Sequence, residues 1–471
     1  MLKRRTVLTH SASLAALASV PLAVSTPALA QGRKDAVVLA MALEPPGLDP
    51  TASAASAIAE ITLYNIYETL TKINSDGTVS PLLAESWEVS PDLRTYTFRL
   101  RKGVKFHNGE EFDADSVVYT LNFVSDPANK AMTQQNVQWI AKAEKLGKYT
   151  VRVISKEPFP AAKDYLSTTL AIHPAKYYKE VGPKGMSAKP VGSGPYKVID
   201  YQPGKSITLE KFTDYFKESP KAQPKIGKVR IRFIPDRQTQ MAEVMSGGED
   251  FIMNVAKDQA EKLQNVPTLQ VVSGNTMRIV FMQMNSQEGA PSPALKDIRV
   301  RKAIAHAIDR EAIMKNIVGG GAELLNTICT PSQVGCTQEG ATVYKYDPAL
   351  SKKLLAEAGY PNGFEIDIHA YRERNQTEAI INNLQAVGIK AKLNFMQYAA
   401  MRDLARANKT ALTHQTWGSN LVNDLSASTP VYFGFGSDDL SRDAQVRELL
   451  DKGNHTIDPK VRNETYKKAL A

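Results

Sequence analysis

Residues 95–109, TYTFRLRKGVKFHNG, alternate strictly at first. Tyr96, Phe98 and Leu100 fall on one side, and Thr95, Thr97, Arg99 and Arg101 on the other. A period of two lays one side of a ribbon against a core and leaves the other wet, so this stretch predicts a strand that turns at Lys102-Gly103. From Asp113 the period changes to 3.6, with Val117, Val118, Leu121 and Val124 recurring on one face. That predicts a helix capped by Asp113, with Asp115 in the first turn where the positive end of a helix favours a carboxylate. Together they read as an antiparallel ribbon packed on a capped helix.

The same two periods partition the rest of the chain. The apolar run AVVLAM (36–41) predicts a buried strand ended by Pro45, Pro46 and Gly47. The stripe Ile58, Ile61, Leu63, Ile66 and Leu70 predicts a helix over residues 58–70. Alternation in YTVRVIS, YKVIDY, SITLEKF and KVRIRFI predicts four more strands. A helix follows Asp236 and is closed by Gly247-Gly248, and RIVFMQMN predicts a strand ending at Asn285. After that the texture becomes repeated helix and strand. Val300, Ala303, Ile304, Ala307 and Ile308 mark an amphipathic helix. Asp347-Pro348 and Gly359 bracket another. FEIDIHA, TEAIINNLQAV and IKAKLNF form a strand–helix–strand unit, which calls for parallel pairing. An extended-rich first part is thus joined to an α/β second part.

Length and composition fit that picture. A chain of 471 residues with 43% hydrophobic and 23% charged content has room for two or three compact units. At the N-terminus, Lys3, Arg4 and Arg5 precede a short apolar core, and TPALA puts Ala28 and Ala30 where a signal peptidase expects small residues. This predicts an export leader over residues 1–30, cleaved after Ala30, by the twin-arginine or the general route, and a periplasmic product. Removing its three basic residues takes the formal net charge from +9 to +6. Those charges are spread along the chain without basic runs or interleaved aromatics, so nucleic-acid binding is disfavoured. Cys329 and Cys336, the only cysteines, sit in the turn-rich CTPSQVGC and predict a local disulfide in an oxidising compartment, contributing about 2.5 kcal/mol.

Catalytic patterns are missing. GSGP at 192–195 lacks the spacing of a nucleophile elbow, and the glycines at 319–321 are not a phosphate-cradling loop. The histidines, His107, His173, His306, His369, His414 and His455 outside the leader, show no metal-ligand spacing. No enzyme, cofactor or metal is expected, and a secreted hydrolase is the rival reading from a different class.

Four stretches in this order carry a resemblance: residues 82–121, residues 192–198 (GSGPYKV), residues 297–311 (DIRVRKAIAHAIDRE) and residues 346–364. On them the chain resembles the extracytoplasmic solute-binding proteins of ABC importers, peptide/nickel-binding family 5. The resemblance implies an α/β two-lobe clamshell with an extra subdomain in the first lobe. It divides the mature chain into lobe I at 31–80 and 190–283, the extra subdomain at 81–189, and lobe II at 284–471. The implied partners are a peptide or other small-molecule ligand and an ABC permease with its ATPase, the binding protein itself being a monomer. A receptor that feeds a sensor is the alternative within the binding class. Asn285 would lie near a crossover hinge.

The resemblance also implies site residues. Peptide-binding relatives carry a Trp followed three residues later by an Asp that holds the ligand's α-ammonium. In QTWGSNLVNDLSAS (415–428), Trp417 matches but Asn420 stands at the acidic position. An amide cannot neutralise a buried ammonium. Either Asp424 takes that role from a shifted register, or the ligand has no free α-amine, which is the reading preferred. Arg372 and Arg374, in YRERN, fall where some relatives offer an Arg to a ligand carboxylate, with Arg374 narrowly preferred. Relatives usually run past the point where this sequence stops, at RNETYKKALA, so lobe II is expected to lack its return segment.

Overall fold

A computed structural model of the chain describes residues 35–471 except 53–55, 132–133, 169 and 275, and leaves out the side chains of Ser56, Gln135 and Asn420. The expected leader lies outside the described residues.

Three sheets of four or five strands organise the described part, with one small ribbon beside them. In the first sheet, Ala36–Met41 is flanked by parallel neighbours, Phe251–Ile252 and Lys228–Phe233. Ser206–Lys211 and Tyr196–Gln202 continue it in antiparallel pairing. The extra subdomain is an antiparallel sheet in the order Ala84–Val89, Thr95–Leu100, Thr150–Ser155, Ile140–Gly147. The side chains of Tyr96, Phe98 and Leu100 are buried, as their alternation predicts. Helix Ala114–Ser125 lies on them through buried Val117, Leu121 and Val124, while Val118 is only partly buried. Its cap forms as expected, the Asp115 amide donating to Asp113 Oδ1 at 2.9 Å.

One helix is shorter than its stripe. Helix Ser56–Thr62 stops because Tyr64 adopts a left-handed φ of 61° and the Ile66 and Tyr67 amides turn back to the Thr62 carbonyl. The turn frees the carbonyls of residues 65 and 66 to receive the Tyr196 and Gly194 amides at 2.9 Å each. A Cβ on Gly192 would come within 1.9 Å of the Ile66 oxygen, so this approach of backbone to backbone requires glycine. The apolar stripe is nevertheless buried, because the loop carries Ile66 and Leu70 into the core.

His107 joins two of the sequence landmarks. The Gly192 amide donates to its Nδ1 at 3.3 Å, and its Nε2 lies 3.0 Å from the Gly194 carbonyl, an arrangement that suits the neutral ring protonated at Nε2. Burial pushes its pKa down to about 4. His414, whose Nδ1 bonds Thr377 Oγ1 at 2.7 Å, is also pushed down to about 4 by burial. Both folded values lie below the ~6.5 of an unfolded histidine. Stability is therefore expected to be full above about pH 6.5 and to fall toward pH 4, at no more than about 1.4 kcal/mol per pH unit for each ring. Thermal melts between pH 7 and 4 check this, and His107→Asn is expected to flatten the slope.

The second large sheet runs Ile279–Met284, Leu412–Trp417, Glu365–Ala370, Lys390–Phe395. The last three strands are parallel and the first is antiparallel to its neighbour. Helix Ile298–Ala307 buries Val300, Ala303, Ile304 and Ala307, and helix Pro348–Glu357 is capped by Asp347. Ile279–Met284 thus pairs within this sheet although it lies just ahead of the expected start of lobe II at 284. Asn285 ends that strand at the edge away from Trp417 and is fully buried. Its Nδ2 donates to Asn408 Oδ1 and to the Thr410 carbonyl at 2.8 Å, and its amide to the Ala411 carbonyl. These bonds tie it to residues 408–411, the stretch just before the neighbouring strand. Beyond Trp417 the chain returns to the extra subdomain, and Val422 and Ala427 sit in the same core as Leu82, Phe98 and Phe159.

Candidate functional site

Strand direction brings one group of side chains to a single edge of the second sheet. Ile279 pairs with Trp417, so Arg278, just before its strand, reaches the edge where the neighbouring strand ends. Glu365–Ala370 runs parallel to that neighbour, so Tyr371 and Arg372 leave at the same edge. Thr416 ties them together, its Oγ1 lying 3.1 Å from Arg278 Nη1 and 3.0 Å from the Tyr371 hydroxyl. The carboxyl edge is where open α/β sheets receive ligands, since strand ends and the following loops converge there. Trp417 is partly buried. Its Nε1 donates to Ser428 Oγ at 2.9 Å and its ring meets Tyr432 edge-on at 5.4 Å, which fixes the indole plane.

The two candidate arginines separate. Glu373 between them has a left-handed φ of 52°, a conformation that costs a non-glycine residue about 1–3 kcal/mol, and it turns the strand end sharply into helix Arg374–Ala386. Arg374 ends up on the helix surface, 60% exposed, paired with Glu378 at 2.9 Å and lying over the Phe395 ring. Arg372 is only 20% exposed and lies 3.7 Å from Glu373. Arg374 thus lies beside its own i+4 neighbour on the helix surface, and Arg372 is the more enclosed of the two.

Charges from the first lobe interact electrostatically with this edge. Arg237 opens helix Arg237–Ser246 and donates Nη1 to the Met253 carbonyl at 2.8 Å. Its pKa is lowered by burial and then by Arg372. Arg278 is lowered in the same way, by burial first and Arg372 next. Glu60, on helix Ser56–Thr62, is raised by burial and held back by Arg278 and Arg372. Glu60 and Arg278 keep solvent-exposed surface while being hemmed in by protein, as groups lining a cleft do.

The loop after Trp417 is propped from behind. Ser419 and Leu421 both have left-handed φ, in the short turn Ser419–Leu421. Asn420 lies in that turn, and its side chain falls outside the described residues. Cys329 and Cys336 are disulfide-bonded, and the loop they close holds buried Gln333. Gln333 Nε2 donates to Ser419 Oγ at 2.9 Å and to the Val422 carbonyl at 3.3 Å. Asp424 is engaged elsewhere. Both its oxygens accept from Arg462, at 2.8 and 2.9 Å, its Oδ1 also caps the Ser426 amide, and the pair is almost wholly buried. A buried carboxylate paired in this way is already neutralised within the protein and is poorly placed to hold a ligand's ammonium.

Sequence reasoning did not single out Arg278, Arg237, Tyr371 or Glu60. The first three were legible in one respect, since Arg278 directly precedes a strand, Arg237 opens a helix and Tyr371 directly follows a strand. Which ends converge depends on sheet order, which no local pattern carries.

The model of the bacterial extracellular solute-binding proteins, family 5 (middle), matches residues 78–439. The chain belongs to this family. The glutathione-binding protein GsiB of Shigella dysenteriae serotype 1 is 30% identical over 397 residues, covering 82% of this chain and 74% of the relative. GsiB of Escherichia coli K12 matches to the same extent. Among solved structures, a dipeptide-binding protein from Pseudoalteromonas sp. SM9913 in complex with Met-Leu superposes with a TM-score of 0.83 at 22% identity, over 92% of this chain and 91% of that one. AgaA from A. tumefaciens R10, in complex with agropinic acid, gives 0.79 at 29% identity, over 92% and 89%. The fold is the two-lobe clamshell of these binding proteins. As a family 5 solute-binding protein, the chain is the extracytoplasmic component of an ABC import system, which captures a peptide or other small solute and delivers it to a permease and ATPase.

Proposed function

We propose that this family 5 protein works in the periplasm, freed from its leader after Ala30, and closes over its solute at the carboxyl edge of the second sheet. Trp417 supplies an aromatic platform and Arg372 a charged contact. The observation that carries the reading is the convergence of Arg278, Tyr371, Arg372 and Trp417 at one edge, opposite Glu60 and Arg237 of the first lobe. A solute that touches both lobes stabilises the closed form alone, and the permease can read that shape without any covalent step. The lobes are joined by the chain before Ile279 and by the segment after Trp417, and the movement is assigned to these segments in place of Asn285. Solutes of the size that the relatives are named for, glutathione or an opine acid, suit a cleft with one aromatic wall and several polar groups, and the engagement of Asp424 with Arg462 favours one without a free α-amine.

Calorimetry with glutathione, Met-Leu and agropinic acid tests the assignment. Trp417→Ala and Arg372→Ala are each expected to weaken the best-bound of these by about tenfold or more. Unchanged affinity in both variants would discard the site.

A further inference from the structure

We infer that the Cys329–Cys336 loop is a redox-sensitive clamp on Trp417. Gln333 positions the indole through two hydroxyls, and reducing the disulfide lowers solute affinity. The inference rests on the cleft reading above and adds to it a positioning residue and a mode of control.

The path from the disulfide loop to the indole is continuous. Gln333 Nε2 donates to Ser419 Oγ at 2.9 Å, and Ser419 Oγ lies 3.4 Å from Ser428 Oγ. Ser428 Oγ in turn accepts from Trp417 Nε1 at 2.9 Å. Backbone bonds run beside this chain of side chains. The Val334 amide donates to the Asn423 carbonyl and the Leu425 amide to the Val334 carbonyl, each at 3.0 Å, so the two segments form a single parallel bridge. Between the indole and that bridge, Ser419 and Leu421 hold left-handed φ values of 51° and 66°. Residues with a Cβ keep such a conformation where their surroundings over-determine it, and the disulfide loop supplies that support from outside the segment.

Gln333 is presented by a turn that the disulfide closes. Its side chain is 3% exposed, and its Oε1 accepts from the Thr330 amide at 3.0 Å. Its own amide donates to the Thr330 carbonyl at 2.9 Å, and the Cys336 amide to the Gln333 carbonyl at 3.0 Å. Opened at one sulfur, this turn has to be held against its own conformational entropy. The two sulfurs differ in access. Cys329 is wholly buried beside Leu425, Leu450 and Tyr466, whereas Cys336 is partly exposed and can meet an incoming thiolate.

The reductant is a dithiol. Its thiolate attacks Cys336 Sγ and displaces Cys329 as a thiolate, leaving a mixed disulfide, and its second thiolate then displaces Cys336. Two electrons pass to the protein sulfurs, two protons end on Cys329 and Cys336, and the reagent leaves as its own disulfide. Cys329 stays anchored in its apolar cluster, while the Cys336 end releases the turn. Gln333 then leaves Ser419, and the indole loses its fixed plane. Re-forming the bond completes the site again.

The test uses the protein with fluorinated tryptophan at Trp87, Trp139 and Trp417, followed by fluorine NMR and by calorimetry with agropinic acid and Met-Leu. Glutathione is left out because it is itself a thiol. Dithiothreitol is expected to move or broaden the Trp417 signal, assigned with Trp417→Phe, while Trp87 and Trp139 keep theirs. It is also expected to weaken the better-bound solute about three- to tenfold, and reoxidation to restore both readouts. Gln333→Met keeps the disulfide and the side-chain length, and should shift the same signal and weaken the same solute under oxidising conditions. Cys329→Ala with Cys336→Ser should make both readouts insensitive to dithiothreitol. A Trp417 signal unmoved by dithiothreitol and by Gln333→Met would overturn the inference. So would a shift of all three signals together, which would make the bond a staple of the whole fold. Affinity that ignores reduction while Trp417→Ala lowers it would overturn it too, and the cleft would stand. If Trp417→Ala left affinity unchanged while dithiothreitol still moved the Trp417 signal, the clamp on the indole would stand and the site assignment would fall.

Discussion

Arg462→Ala is expected to destabilise the protein by about 3–5 kcal/mol, because it leaves Asp424 as an uncompensated buried charge. Arg462 spends nearly all of its donors locally. Two go to Asp424, one to the Tyr466 hydroxyl at 2.9 Å and one to the Gly453 carbonyl at 3.0 Å. Burial works against its charge, but Asp424 more than offsets this and raises its pKa. A second carboxyl makes the loss worse. Asp164 is already pushed up to about 6, by burial first and by the charge of Asp424 next. A carboxyl whose folded pKa is raised, as that of Asp164 is, contributes stability at low pH that is lost as pH rises through the raised value, so with Arg462 gone the deficit should be larger at pH 8 than at pH 5. Thermal melts at the two pH values measure it, with a fall in melting temperature of roughly 3–5 °C at the higher one. The double variant Asp424→Leu with Arg462→Met is expected to recover most of the loss, since an apolar pair of similar volume avoids desolvating two ions. A single variant as stable as the parent would show that the pair is not formed.

Lys221→Met is expected to cost a similar amount, about 3–5 kcal/mol, at a separate place. Glu68 is wholly buried in the first lobe, where its Oε1 accepts from Lys221 Nζ and from the Tyr215 hydroxyl, each at 2.6 Å. Burial raises the Glu68 pKa, and Lys221 opposes that rise. Lys221 also donates to the Tyr64 carbonyl at 2.6 Å, in the turn that ends helix Ser56–Thr62, so its removal loosens the backbone on which the GSGP segment rests. With the lysine gone, Glu68 can stay folded only by taking up a proton. The variant should therefore approach the parent at pH 5 and fall away as pH rises. Adding Glu68→Gln should abolish that pH dependence. Persistence of the pH slope in the double variant would contradict the account.

How far such features were readable from the residues depends on their range. The ribbon at Thr95–Leu100, the caps Asp113, Asp236 and Asp347, and the parallel strand–helix–strand unit follow from spacing within ten or twenty residues, and the structure carries them. The overlong helix after Ile58 failed for a local reason with a distant cause. Its stripe is real, but residues 65 and 66 are bonded to residues 194 and 196, and a continued helix would have used those carbonyls itself. Trp417 and Arg372 were legible as candidates because their residue types and the loop around them resemble a known pattern. The roles of Asp424 and Asn285 were not. Each is settled by a partner remote in sequence, Arg462 for one and Asn408 for the other. The resemblance placed Arg374 narrowly above Arg372, and the left-handed Glu373 that separates their directions leaves no mark in composition.

The burial of Val422 and Ala427 among Phe98, Phe159 and Leu82 has a practical consequence for anyone trimming this scaffold into a minimal sensor. The antiparallel module at 81–189 resembles a detachable ornament, yet it is the floor under the segment that follows Trp417. Excising it would uncover an apolar underside and free the very loop a sensor would rely on. A smaller receptor would have to be shortened somewhere else.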